Sequence, residues 1–157
     1  MLIVQSNLAN TYEQLGRKEQ ALSMRRDVYS GRFKFSGEED LSTLIAANNY
    51  AMSLNDLKRF KESRALLRRT MPVARRALGE SHEIMLWIRW TYVKALYMKD
   101  GATLDDLREA VETLGETVRT ARRVLGGAHP LTVDIEHGLR SLRETLEQRR
   151  DAALGTT

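Results

Sequence analysis

A chain of 157 residues with 25 basic and 21 acidic side chains suits one domain, and its net charge of +4 names no class of partner. It has no cysteine, which excludes disulfides and thiolate metal sites. No apolar run approaches the ~18 residues that a membrane helix needs.

The apolar residues recur at helical spacing throughout, and the elements are taken here in chain order. The first helix is predicted over about 2–15, closed by Gly16 in a left-handed C-terminal position. Its opening, Met1 to Asn7, has no basic leader and no long apolar stretch. It reads as helix rather than signal peptide, and a cytoplasmic location is expected. The second helix spans about 18–35, with Ala21, Leu22, Val28 and Tyr29 inward. Gly37-Glu38-Glu39-Asp40 breaks the chain, and Asp40 is suited to cap a third helix over about 41–57.

The fourth helix, about 60–78, continues its period through Pro72, where a kink is expected rather than an end. From Lys58 to Arg76 the chain carries eight basic residues and one acid, Glu62. Long arginines lie over apolar neighbours with their heads in water, so this run is read as solvated. Ser81 or His82 starts the fifth helix, about 82–99. Asp100-Gly101-Ala102-Thr103 is the clearest loop. Thr103 is placed to cap a sixth helix ending near Leu125, with Asp105 and Asp106 in its positive first turn. His129-Pro130 opens the last helix, proline taking the first helical position. Leu131, Ile135, Leu139, Leu142 and Leu146 make one stripe there, opposite Arg140, Arg143, Glu144 and Glu147. That is the two-faced pattern of a capping helix. The tail 151–157 is expected to fray.

The chain repeats itself. Asn7-Leu8-Ala9 returns as Asn49-Tyr50-Ala51, an offset of 42, and Ala74–His82 returns as Ala121–His129, an offset of 47. Periods of this size mean stacked supersecondary units. Leu8, Ala9, Tyr12, Gly16 and Ala21 resemble a tetratricopeptide helix pair. The longer unit, with Asn-Leu-Ala near its start and Leu78-Gly79-Glu80-Ser81-His82 at its end, resembles the kinesin-light-chain-like repeats. The resemblance runs from about Leu2 to about Arg150. The second repeat keeps Asn49, Ala51, Leu54 and Phe60 but has Lys58 where glycine is expected and Ser63 where alanine is. The third keeps Tyr92 and carries extra residues around Asp100–Asp106.

The resemblance implies an all-α, right-handed tetratricopeptide-type solenoid of three helix pairs plus a C-terminal cap. The repeat domain would cover 1–150, with repeats at about 1–36, 40–79 and 82–126 and the capping helix at 129–150. Ala9 and Ala51 should be buried where paired helices cross. The residues before and after each small alanine would line a groove. They are Ser6, Asn7, Asn10 and Glu13, then Asn48, Asn49, Met52 and Asn55, then Trp87, Trp90, Thr91, Lys94 and Tyr97. An asparagine amide both donates and accepts, so Asn7, Asn10, Asn48, Asn49 and Asn55 could clamp a peptide backbone without reading its side chains. The alternative is that they satisfy helix ends or face solvent. Trp90, with Lys94 and Tyr97, is placed toward the groove and Tyr92 in the core, while Trp87 fits either. Trp87 and Thr91 stand where a carboxylate clamp carries basic residues, so no such clamp is expected.

No phosphate loop, zinc spacing or nucleophile–base cluster occurs, and His82, His129 and His137 lack partners that would make them ligands. The expectation is a noncatalytic module, with no cofactor, metal or membrane span, that holds a protein or peptide segment. Nucleic acid is not an expected partner. The alternative is a scaffold fragment that stacks or self-associates through its N-terminal flank, where the first helix carries no charge before Glu13.

Overall fold

The computed structural model describes residues 2–98 and 101–155, and side chains from Val4 onward. Seven helices occur among them and no strand: α1 (Leu2–Gln14), α2 (Lys18–Ser36), α3 (Leu41–Asp56), α4 (Phe60–Leu78), α5 (Glu83–Tyr97), α6 (Leu104–Leu125) and α7 (Pro130–Leu154). Their contacts divide the chain into two compact units, Met1–Gly79 and Glu80–Thr157. In the first, α1 packs on α2, α2 on α3 and α3 on α4; in the second, α5 packs on α6 and α6 on α7.

Local chemistry sets the boundaries. Gly37, Gly79 and Gly126 close α2, α4 and α6 at φ 82°, 84° and 86°, a left-handed backbone that a Cβ resists. Three residues after each stands the cap of the next helix. The Asp40 carboxylate accepts from the Ser42 and Thr43 amides at 3.0 and 3.2 Å. His82 Nδ1 accepts from Ile84 N–H at 3.2 Å, and His129 Nδ1 accepts from Leu131 N–H at 3.2 Å. α6 begins with a reciprocal capping box. The Thr103 hydroxyl accepts from Asp106 N–H at 3.1 Å, and the Asp106 carboxylate accepts from Thr103 N–H at 2.8 Å. Asp100, part of the expected loop, lies outside the described residues.

Two positions that depart from the repeat pattern keep its geometry. Lys58 adopts φ 59°, matching the φ 74° of Gly16 one repeat earlier. Ser63 is fully buried in place of alanine, and its hydroxyl donates to the Ala51 carbonyl at 3.3 Å. Ala9 and Ala51 are wholly buried, so α1 and α3 meet their neighbours at a small residue. α4 runs through Pro72. In the second unit Met85, Leu86, Ile88, Val93 and Leu96 of α5 are fully buried, with Leu107 and Leu114 of α6 and Leu131 and Ile135 of α7 also in the core. α7 stays helical to Leu154, three residues past Asp151, where fraying was expected to start.

Candidate functional site

In the first unit, α1, α2 and α3 enclose a cavity of about 240 Å³ lined by Ser6, Asn10, Arg25, Val28, Arg32, Ser42, Ile45, Ala46 and Asn49. Helical spacing explains its membership. Ser6 and Asn10 are four apart on α1, and Ser42, Ile45 and Asn49 share one face of α3. Arg25 and Arg32 fall in register with buried Ala21 and Val28, so α2 points two guanidiniums inward from an otherwise apolar stripe.

Arg25 joins the three helices. Its guanidinium donates to the Glu13 carboxylate at 2.5 Å, to Asn10 Oδ1 at 3.1 Å, to Ser53 Oγ at 2.8 Å and to the Asn49 carbonyl at 3.4 Å. Its side chain is only 10% exposed. Such a charge is tolerable because nearly every donor is met. Glu13 in turn faces Asp56. Partial burial, a hydrogen bond to Glu13 and the charge of that carboxylate together raise the Asp56 pKa. Arg25 therefore sits beside a carboxyl pair that would otherwise repel.

Of the asparagines expected to line a groove, Asn10 and Asn49 reach this cavity. Asn7 is exposed elsewhere on α1, its carbonyl accepting from the Thr11 hydroxyl at 3.1 Å. Asn48 and Asn55 are buried, 7% and 8% exposed, and do not line it. The Asn48 amide donates to Met52 Sδ at 3.6 Å, and its buried oxygen has no donor among the described residues.

In the second unit a broader cavity of about 600 Å³ lies between α5 and α7, lined by Trp90, Lys94 and Tyr97 together with Val133, Asp134, His137, Gly138 and Ser141. Trp90, expected to reach the groove, lines this cavity yet is only 7% exposed. The reason is Gly138. A Cβ added there would meet the Trp90 ring at 2.5 Å, so the indole fills the space a side chain on α7 would take. The Lys94 ammonium stands over the same ring, 4.8 Å from its centroid, a cation–π contact. Burial raises the Tyr97 pKa. Trp87 is partly exposed, with its indole N–H donating to Glu83 at 3.4 Å. Thr91 is buried and bonded to the Trp87 carbonyl at 3.0 Å, so it does not offer its hydroxyl to a groove. Tyr92 is core, its hydroxyl donating to Glu109.

Arg25 and Arg32 were not among the expected site residues. The signal was present, since both occupy positions of α2 where the period calls for apolar side chains. No group of three metal-binding side chains converges among the described residues.

The comparisons with known proteins agree with this architecture. Residues 43–83 match the tetratricopeptide repeat family. The structure superposes on the crystal structure of nearly identical TPR-like repeats of a Podosopora anserina kinesin light chain, with a TM-score of 0.82 over 96% of this chain and 69% of that one, at 22% identity. The fold is that of a tetratricopeptide-type α-solenoid. A variant of the same repeats aligns at a TM-score of 0.54 and 19% identity, covering 97% of this chain and 89% of that one. BtubC (BKLC) from P. vanneervenii aligns at 0.52 and 15% identity, covering 98% and 65%. None of the curated proteins matches the sequence. The tetratricopeptide match spans α3, α4 and the joint to α5, the stretch that holds Asn49, Ala51, Ser63 and the His82 cap. No described helix is long and apolar enough to cross a membrane.

Proposed function

We propose that the protein is a noncatalytic interaction module that holds an extended peptide segment against the α1–α3 face of its first unit. The observation that carries this reading is the cavity where Asn10, Asn49, Ser6 and Ser42 surround the inward Arg25 and Arg32. Arg25 occupies the Asn10 side-chain oxygen, so the amide nitrogen is the donor that Asn10 has left to offer a ligand. Asn49 and Ser42 add groups that both donate and accept. Such a surface suits a peptide backbone, whose own groups alternate in the same way. The α5–α7 cavity, with Trp90, Lys94 and Tyr97, supplies a second surface of aromatic and cationic character.

A peptide array probed with the whole chain tests the proposal. The expected result is a set of binding peptides whose affinity falls by ~0.5–3 kcal/mol in Asn49→Ala, the cost of one lost hydrogen bond. An array with no binders, or binders indifferent to Asn49 and Asn10, overturns it.

One observation favours a second reading, self-association through α1. Val4 and Leu8, one turn apart on a helix without charge before Glu13, are 67% and 39% exposed, and Leu15, just past its end, is 65% exposed. A dimer in solution with no peptide ligand would favour that reading over the first.

A further inference from the structure

We propose that a separate cavity in the first unit, between α2, α3 and α4, is a binding site for a small aryl carboxylate. It encloses about 130 Å³ and is lined by Tyr29, Phe33, Glu38, Thr43, Leu44, Ala47, Arg69, Thr70 and Val73. It shares no residue with the α1–α3 cavity and does not depend on the peptide-binding reading.

Size sets the body of the ligand. An apolar protein cavity of about 150 Å³ accommodates benzene, so this one takes a single ring and little more. The walls suit a ring. Tyr29 and Phe33 stand edge to face at 6.1 Å, and Leu44, Ala47 and Val73 complete an apolar lining.

Unsatisfied polar groups set the substituents. Thr43 is 1% exposed, and its hydroxyl is buried without a partner among the described residues. A buried hydroxyl left unpaired costs free energy, and a polar atom on a bound ring would remove that cost. The Thr70 hydroxyl, by contrast, already donates to the Leu66 carbonyl at 2.9 Å. Two charged residues line the site. Glu38 is held by Arg76 at 3.5 Å, and Arg76 also holds Glu39 at 2.7 Å. Arg69 is exposed, lies close enough to Tyr29 to act on its phenol, and has no hydrogen bond or ion pair among the described residues. Its unused donors match a carboxylate, the anion whose two oxygens fit a guanidinium fork. A ring in the cavity, a carboxylate on Arg69 and a hydroxyl within reach of Thr43 define the ligand. The space inside fits one ring, and we assign the source as a free small acid whose carboxylate sits at the mouth beside Arg69.

The test is a titration of the whole chain, followed by amide NMR, with benzoate, 4-hydroxybenzoate and benzamide. The expected result is saturable shifts at Thr43, Ala47 and Val73. Binding of 4-hydroxybenzoate should be tighter than that of benzoate, and binding of benzamide weaker than benzoate by about tenfold, the loss of a charge-assisted hydrogen bond. Arg69→Gln, an exposed position, should bring benzoate to the level of benzamide. Thr43→Val should erase the advantage of the ring hydroxyl while the spectrum stays dispersed. The site is refuted by unsaturable shifts, by benzamide binding as tightly as benzoate, or by an Arg69→Gln variant that binds benzoate unchanged. A peptide ending in phenylalanine that outcompetes the free acids overturns the assignment of the source.

Discussion

At the scale of single residues, side chains that stand where the repeat pattern wants something else carry the most information. Lys58 holds a left-handed backbone that costs an L-residue ~1–2 kcal/mol, against the ~0.5–1 kcal/mol of unfolded-state entropy that glycine would add. Lys58→Gly should therefore stabilise the first unit by about 0.5–1 kcal/mol, read as a higher urea midpoint with an unchanged slope. A lower midpoint would mean that the Lys58 side chain makes contacts worth more than the strain. Asp56 gives a pH-dependent counterpart. Its pKa is raised by burial and by Glu13, so just above the ordinary aspartate value the folded chain keeps a proton that the unfolded chain has released. Stability then falls as pH rises. The contribution is complete below the ordinary value and lost once pH has passed the raised one. Asp56→Asn should flatten this fall across the weakly acidic range. Urea melts at a series of pH values would show it, and identical slopes in both proteins would exclude Asp56 as the source.

At the scale of elements, each helix start is a self-contained device. His129 holds the first turn of α7 through one nitrogen, so His129→Ala should cost ~0.5–2 kcal/mol while His129→Asp retains the cap. Thermal melts of the pair would separate loss of the cap from loss of the imidazole. This locality is why the helix limits were legible in the chain: Asp40, His82, Thr103 and His129 each bond to an amide two or three residues ahead. The candidate sites were less legible because their geometry depends on distant partners. Whether Trp90 is open or covered depends on Gly138, which is 48 positions away and has no side chain to reveal it. Arg25 looks like one more charge on a polar helix until Glu13 and Asn10 on α1 and Ser53 on α3 are seen around it. Asn48 stands next to Asn49 yet does not line the α1–α3 cavity, because one residue along a helix turns a side chain by ~100°.

At the scale of the whole molecule, α1 presents an exposed apolar stripe, Val4 and Leu8 lying one turn apart. If that stripe mediates self-association, sedimentation at high concentration should show a heavier species for the native chain and a lighter one for Leu8→Glu. A monomer in both cases would dismiss the contact. Leu8 is 39% exposed, so the glutamate should change association without unfolding α1.

The Trp90–Gly138 fit has an optical consequence. The chain has two tryptophans, both on α5, and the unit Met1–Gly79 has none. The indole of Trp90 is shielded by α7, so its fluorescence should be blue-shifted in the native state and move to the red when α7 lifts away. Gly138→Ala would force a methyl group into the ring, cost ~1–3 kcal/mol by overpacking, and shift that emission before any helix melts. Tryptophan fluorescence thus reports the second unit alone, whereas circular dichroism reports helices in both. Overlaying the two signals along one denaturant gradient would show whether the units Met1–Gly79 and Glu80–Thr157 unfold in one transition or in two. The native chain therefore carries its own probe for that experiment, with no label added.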